Sequence, residues 1–132
     1  MSEAEGSIEQ RTRAVVVRLY DAYFAGDAAG MVETMSDDVW VRFLGRVDFR
    51  GKQQASEFFG GNNPLLVDLQ FDIKNLVIDG SHAAAIWEES AQTIHGQPYR
   101  NHGVDVFTVE GGRITAIHEN NDVRIHREHF GS

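Results

Sequence analysis

Apolar residues recur at helical spacing in the first part of the chain. They follow Ser7-Ile8-Glu9-Gln10, which has the form of a capping box: a hydroxyl reaches exposed first-turn amides, and a Gln three residues on reaches back. The pattern predicts a helix that ends at Gly26-Asp27. Its apolar face consists of Ile8, Val15, Leu19, Ala22 and Tyr23.

Two more helices and one strand are predicted before the middle of the chain. Asp27 is a suitable N-cap for a short helix that extends through Met35. The polar residues 36–38 are expected to end this helix. Residues 39–44 are rich in strand-forming side chains, and Gly51 favours the start of a third helix. The inner side of that helix is expected to carry Ala55, Phe58 and Phe59, and residues 60–64 are expected to form a loop.

From residue 69 onward the hydrophobic period changes to two, which is the period of strands. Leu69, Phe71 and Ile73 alternate with polar residues, and Asp79-Gly80 is a hairpin turn signal. Further strands are predicted over residues 82–94, 99–109 and 113–122, and tight turns between consecutive strands indicate an antiparallel meander. We expect a single domain over residues 1–132, ordered from about 8 to 125, with a tail at each end.

The composition is that of a globular protein, with 42% hydrophobic and 24% charged residues. The longest apolar runs are too short for a bilayer and no secretory pattern precedes them, so we expect a cytoplasmic protein without a membrane partner. The absence of cysteine excludes disulfides, thiolate zinc sites and cysteine nucleophiles. A net charge of −8, with lysine only at Lys52 and Lys74, disfavours nucleic acid as a partner.

Two motifs and their spacing resemble the nuclear transport factor 2-like superfamily. They are Leu19-Tyr20-x-x-Tyr23-x-x-Gly26-Asp27 and Gly112-Arg113-Ile114-Thr115. The chain looks most like the SnoaL-like polyketide cyclases, with ketosteroid isomerase and limonene epoxide hydrolase as relatives. The resemblance implies an α+β fold in which a cone-shaped, curved antiparallel sheet packs on three N-terminal helices, as in a cystatin-like roll. It also implies an internal pocket lined by Val41, Phe43, Phe58, Phe71 and Phe107.

Asp105 is the first candidate for a catalytic group. Without a gap, residues 96–107 resemble the ketosteroid isomerase strand whose buried, protonated Asp donates a hydrogen bond, and Asp105 falls on that position. A carboxyl in an apolar cavity has its charged form disfavoured and becomes a donor near neutral pH. Substrate-binding side chains are expected on the same face at Asn101 and Phe107, and on the first helix at Tyr20 and Tyr23. The position that resembles the isomerase's base is Phe43, which cannot move a proton.

Glu88 and Glu119 are the other two catalytic candidates. They match the two pocket carboxylates of the epoxide hydrolases, although the arginine that links that pair falls on Ile86 here. Without it, two nearby carboxylates would share one proton and one pKa would be raised. Strand alternation puts Asn121 on the face of Glu119, and one of Glu88 and Glu89 must point outward. His102 is the candidate base of a dehydratase-like site, although strand alternation places it on the face opposite to that of Asp105.

These observations favour a cofactor-free enzyme: a cyclase, isomerase, dehydratase or hydrolase acting on a small, apolar or polycyclic molecule. The alternatives are a non-catalytic binding module and a dimeric scaffold of the same fold. No metal is expected, because His126-x-x-His129 lacks a third ligand at convincing spacing. A homodimer through the sheet is expected, because its convex face would carry apolar residues at Val104, Val106, Ile114 and Ala116.

Overall fold

The computed structural model describes residues 2–43, 47–61 and 66–130, and for residues 2–7, 123, 126, 129 and 130 it describes the backbone alone. The elements in chain order are α1 (Ser2–Phe24), α2 (Ala28–Glu33), β1 (Met35–Phe43), β2 (Val47–Arg50), α3 (Lys52–Gly60), β3 (Leu66–Asp79), β4 (His82–Thr93), β5 (Pro98–Glu110), β6 (Arg113–Asn121) and α4 (Val123–Phe130). Leu44 and residues 62–64, predicted as a strand end and a loop, lie outside the described residues.

Side-chain hydrogen bonds explain where several helices begin and how they are anchored. Asp27 caps α2 by accepting a hydrogen bond from the Gly30 amide at 2.9 Å. α3 begins after Gly51, whose φ of 105° lies in the region that favours glycine. Within α1, the Thr12 hydroxyl lies 2.8 Å from the carbonyl of Gly80, which ties the helix to the turn between β3 and β4.

Several boundaries and two elements differ from the sequence expectation, and α2 ends at Glu33 rather than at Met35. α1 begins at Ser2, and β2 and α4 were not predicted. β1 begins at Met35 rather than residue 39, because the exposed run 36–38 forms an irregularity within the strand instead of ending it. Asp122 caps α4 by accepting hydrogen bonds from the amides of Arg124 (3.0 Å) and Ile125 (3.3 Å), so the last residues form a helix rather than a tail.

The six strands form one curved sheet in the order β2-β1-β6-β5-β4-β3. β3 to β6 form the predicted antiparallel meander, and β2 pairs antiparallel with β1. β1 and β6 are the parallel pair, which brings the first strand beside the last one of the meander. The architecture is α+β, with helices against one face of the sheet, here called the inner face; the opposite face is called the outer face.

The core lies between α1, α2 and the inner face. Its fully buried members come from helices and strands alike and include Val16, Met35, Val39, Val41, Ala55, Ala85, Phe107 and Ile114. Val41 of β1 lies beside Ile117 of β6, and Phe107 of β5 lies on the other side of Ile117. Apolar side chains therefore run across three adjacent strands under α1.

Ile114 lies in this core and not on the outer face as expected. On β5, Thr108 pairs with Ala116 and the next residue, Val109, pairs with Ile114, so Thr115 is an extra residue on β6. Such a bulge reverses the faces of the residues before it. The outer-face patch therefore keeps Val104, Val106 and Ala116 but loses Ile114.

The position of Ile114 gives a stability prediction. Ile114→Ala should lower the free energy of unfolding by about 2–5 kcal/mol, because it leaves a cavity in a closed core. Ile94→Ala is the matched control, since Ile94 is 57% exposed, and it should cost less than about 0.5 kcal/mol. Urea denaturation measures both, and equal losses would show that Ile114 is not a core residue.

Candidate active site

Two carboxyls lie side by side on neighbouring strands of the inner face. Asp105 of β5 is directly opposite Glu119 of β6 and Ala85 of β4. Residues directly opposite each other share a face, with Cβ atoms about 5 Å apart. Phe43 of β1 continues this row as the partner of Glu119. The sequence prediction that Asp105 and Glu119 face the interior together is consistent with this register.

Both oxygens of the Asp105 carboxyl accept a hydrogen bond. The Tyr20 hydroxyl of α1 donates to Oδ2 at 2.6 Å, and the Trp87 indole N–H of β4 donates to Oδ1 at 2.9 Å. Burial raises the pKa of Asp105 to about 6, and the two hydrogen bonds oppose this rise because they stabilise the charged form. Asp105 is thus a buried acid that is fully hydrogen-bonded and still close to titrating at neutral pH.

Glu89 brings a third carboxyl to the inner face. It is half-buried on β4, where it pairs with Phe71 of β3 and Asn101 of β5. Burial, and then the charge of Asp105, raise the pKa of Glu89 to about 7. A group with a pKa near 7 exchanges protons most effectively at neutral pH, which makes Glu89 suited to general acid–base work.

Two tyrosines of α1 face these acids. Burial, and then the charges of Glu89, Glu119 and Asp105 in that order of effect, raise the pKa of Tyr23 to about 12. Burial and Asp105 also raise the pKa of Tyr20. Both phenols therefore keep their protons at neutral pH, and the Tyr20 hydroxyl donates its proton to the hydrogen bond with Asp105.

Aromatic rings surround the acids. Phe71 of β3 is the centre of the group, with ring centroids 6.1 Å from Tyr20, 5.5 Å from Tyr23 and 5.2 Å from Trp87. Phe107 contacts Tyr20 edge-on at 5.8 Å. This apolar wall supplies the low polarity that raises the carboxyl pKa values. Tyr23, Phe71, Glu89 and Glu119 are only half-buried, which leaves the acids approachable from one side.

The amides at this end of the sheet serve different purposes. Asn101 is buried, and its carbonyl oxygen accepts hydrogen bonds from the amides of His102 (2.8 Å) and Asp122 (3.2 Å), so it anchors the strand ends. Asn121 donates to Glu119 at 2.8 Å. Its Oδ1 is buried, and no described residue donates to it. Asn121 therefore orients Glu119 and retains one free acceptor.

Residues 16–117 match the SnoaL-like domain family. The chain belongs to this family. No curated protein matches the sequence. The resemblance inferred from the tyrosine and glycine motifs is thereby confirmed, and the match covers the helices and strands that carry Tyr20, Trp87, Asp105 and Ile117.

Solved structures with the same fold include proteins of several activities. A candidate SnoaL-like polyketide cyclase from Jannaschia sp. CCS1 has a TM-score of 0.82 at 18% identity, over 95% of this chain and 94% of that one. An LEH-like epoxide hydrolase of Mycobacterium tuberculosis has a TM-score of 0.76 at 17% identity, over 91% and 89%. Another M. tuberculosis protein, solved with estradiol-17β-hemisuccinate, has a TM-score of 0.73 at 17% identity, over 87% and 96%. These similarities establish the fold and leave the activity to the site.

Two expected site residues of this SnoaL-like protein lie on the outer face. The Glu88 side chain is 63% exposed, with a carboxyl oxygen 3.5 Å from the Lys74 ammonium. The His102 side chain is 66% exposed and lies 3.9 Å from the Asp122 carboxyl. β4 and β5 pair without a register shift, so alternation holds and both side chains point away from Asp105. The expected inward orientation of Glu88 is therefore wrong, and Glu89 takes the inward position. His102 lies on the face opposite Asp105, as strand alternation indicated, and so does not join the site.

Glu89 and Trp87 are the site residues that sequence reasoning missed. Ala83, Ala85 and Trp87 are buried at alternate positions of β4, and Glu89 continues their face. Residues 83–87 are all apolar, so the sequence shows no alternation that would mark this face. The remaining expected residues, Tyr20, Tyr23, Phe43 and Phe107, all lie in the hydrophobic core cluster or pack against it.

A groove of about 440 Å³ lies along β3, β4 and β5, and its lining includes Lys74, Glu88 and His102 as well as Glu89 and Asn101. Lys74 is 2.7 Å from Asp72 and 3.5 Å from Glu88, so these three charged groups pair with each other. The side chains of His126 and His129 lie outside the described part. No described helix has the length and apolarity to cross a membrane.

The raised pKa values predict how stability depends on pH. Because folded Asp105 and Glu89 bind protons more tightly than the unfolded chain, their contribution is most favourable below about pH 4 and is lost as pH rises through about 7. Glu89→Gln should therefore stabilise the protein at pH 8 relative to wild type, by on the order of 1–3 kcal/mol, and much less at pH 5.

Urea denaturation at the two pH values measures this difference. Glu88→Gln is the matched control on the neighbouring residue, and its effect should not grow with pH in this way because its side chain is largely exposed. A Glu89→Gln effect that is the same at pH 5 and pH 8 would contradict the assignment of Glu89 as a buried titrating acid.

Proposed function

We propose that this SnoaL-like protein is a cofactor-free acid–base enzyme that acts on a small, largely apolar molecule. The observation that carries the proposal is the pair of inward carboxyls with raised pKa values, Asp105 and Glu89, under a wall of aromatic rings. Cyclisation, isomerisation, dehydration and hydrolysis of such molecules all need a proton to be moved in a site sheltered from water.

The roles follow from the contacts. Glu89 is half-buried, and no hydrogen bond from a described residue reaches its carboxyl, so it is the group that can approach a ligand and exchange a proton with it. Asp105 supplies a negative charge that acts on it. A proton transfer by a positioned side chain contributes about 10²- to 10⁴-fold to the rate. Tyr23 is the donor placed to hold a polar group of the ligand.

The charge of the site restricts its ligands. Three carboxyls converge on the inner face, whereas every arginine that the structure describes is exposed. An anionic ligand on the inner face would meet this negative field without a buried arginine among the described residues. We therefore expect neutral or cationic molecules with an apolar, ring-containing body. The hemisuccinate ligand of one relative belongs to that protein and does not bear on the charge preference here.

A panel of ligands tests the function. Polycyclic ketones, lactones and terpene epoxides are screened for turnover, and each apolar body is also offered as a matched alcohol, amine and carboxylate for binding by thermal shift. We expect turnover of at least one neutral compound and binding of carboxylates about tenfold weaker than of alcohols. Glu89→Gln and Asp105→Asn should each lower kcat/KM by about 10²-fold or more.

The control for this panel is again Glu88→Gln, which should leave both turnover and binding unchanged. Binding without turnover across the panel would replace the enzyme by a binding module that uses the same acids for specificity. Carboxylates that bind as tightly as alcohols would contradict the role given to the acidic site.

We also propose that the protein forms a homodimer through the outer face of the sheet. Val77, Ala84 and Val106 are aligned across β3, β4 and β5, and Ile86 lies in the next outward row. Ile86 and Val106 are 40% and 36% exposed, which leaves an apolar strip facing water in a single chain.

Charge introduced into this strip should separate the subunits. Ile86→Lys is expected to convert a dimer to a monomer in sedimentation experiments, because a buried, unpaired lysine is costly at an interface. Ile8→Lys, on the exposed side of α1 at 47% exposure, is the control and should remain dimeric. A wild-type protein that sediments as a monomer at all concentrations would exclude the dimer.

A further inference from the structure

The indole of Trp87 is held in a slot of the sheet. Trp87 lies directly opposite Gly103 on β5 and is 2% exposed. A Cβ atom at Gly103 would lie 2.6 Å from Cζ2 of the indole and closer still to the carbonyl oxygen of Asn120. On another side, the Phe71 ring packs on the indole at 5.2 Å between centroids. The ring therefore rests against bare backbone and has no room to turn away from Asp105.

The two donors to Asp105 differ in what they permit. An indole N–H can only donate, whereas a phenol hydroxyl can donate or accept. A proton on Oδ1 of Asp105 would face the Trp87 N–H and the hydrogen bond would be lost. A proton on Oδ2 would need the Tyr20 hydroxyl to turn around. The indole therefore requires Oδ1 to carry no proton, and it adds to the Tyr20 hydrogen bond in favouring the ionised form of Asp105.

The Glu89 carboxylate is not stabilised by a comparable hydrogen-bond donor among the described residues. It lies two residues from Trp87 on the same strand and the same face, and no described residue donates a hydrogen bond to its carboxyl. The ionisable groups that act on the two acids include Tyr20 and Tyr23 from α1 and Glu119 from β6. Glu89 also lines the groove that contains Lys74, Glu88, Arg100 and His102. From β3 the acids face Phe71 and Ile73, which do not titrate. Close like charges cannot both be ionised without cost, so a proton is retained where fewer donors stabilise the anion.

We propose that Trp87, seated on Gly103, is a positioning residue that fixes Asp105 as the carboxylate of the site and leaves the exchangeable proton on Glu89. The use of these two protonation states in catalysis rests on the proposed acid–base function. The assignment of the charge to Asp105 and of the proton to Glu89 does not depend on it. It explains why a bulky indole and a glycine face each other beside the acids: the glycine makes room for the donor, and the donor selects which acid stays charged.

Titration of the carboxyl ¹³C resonances of Asp105 and Glu89 by NMR tests the proposal. Trp87→Phe keeps an aromatic ring and removes the N–H, so the midpoint of Asp105 should rise by about 1 pH unit or more and that of Glu89 should fall. Trp40→Phe is the matched control. It removes an indole N–H that donates to Asp48 at 2.7 Å on an exposed site, and both midpoints should stay in place.

A second replacement separates the hydrogen bond from the shape of the ring. In the Trp40→Phe background, β-(3-benzothienyl)alanine incorporated for tryptophan replaces Trp87 alone, because the chain has two tryptophans. It fills nearly the same volume without a donor, and it should shift the midpoints as Trp87→Phe does. This replacement also covers the case in which Trp87→Phe does not fold. Gly103→Ala should move the midpoints in the same direction by displacing the ring.

Unchanged midpoints in the benzothienyl protein would overturn the proposal. The titration needs no substrate, so failure of every compound in the ligand panel would count against the proposed function without affecting this result. Where turnover is found, the Glu89-dependent limb of the kcat profile should move to lower pH in Trp87→Phe, while a purely structural role of Trp87 would lower kcat without moving it.

Discussion

The burial of one carboxyl, Asp105, under a helix constrains the rest of this molecule. A carboxylate removed from water is costly unless its oxygens accept hydrogen bonds, and here one donor comes from α1 and the other from β4. The three residues form a bridge from the helical layer to two strands of the sheet. An apolar contact could slide by an ångström at small cost, but this bridge holds only at one relative position of helix and sheet. Asp105 thus specifies the packing of α1 as well as the chemistry of the site.

The same bridge makes the site dependent on strand register. Asp105, Glu119 and Glu89 converge because β4, β5 and β6 pair without a shift over the residues that carry them. The bulge at Thr115 lies outside this region. It directs the Ile114 side chain into the core and leaves the register of the three acids unchanged. The aromatic wall lies against both Asp105 and Glu89, because Phe71 contacts both tyrosines and the indole and pairs with Glu89 across the strands. The raised pKa values follow from this shared environment.

Much of this arrangement could be predicted from the sequence. The order of elements, the meander and the inward position of Asp105 follow from hydrophobic period, turn residues and alternation, because these features are local or depend on a single register. The faces of Glu88 and Glu89 could not be predicted, since adjacent identical side chains carry no information on parity. The place of Ile114 depends on a one-residue bulge, which has no clear local signal. β2 and α4 were missed because each is short and is stabilised by its partners more than by its own pattern.

The hydrogen-bond partners of Asp105 also lay beyond prediction. Tyr20 was a candidate from its helix position, but its contact with Asp105 joins residues far apart in the chain. Trp87 could be placed on a strand, yet its direction toward Asp105 depends on the missing side chain of Gly103. Sequence reasoning thus found the acid and one of its donors, and the three-dimensional register was needed to find the other donor and the second acid.

The parallel pairing of β1 with β6 has a consequence for how the chain comes to fold. Trp40 and Val41 are aligned with Ala116 and Ile117, which come much later in the chain. While the protein is being synthesised, the edge of β1 that pairs with β6 stays open until β6 has left the ribosome. The buried valines of β1 lack this neighbour until then, and closing so long a loop is slow. The first strand to be made is therefore among the last to be secured.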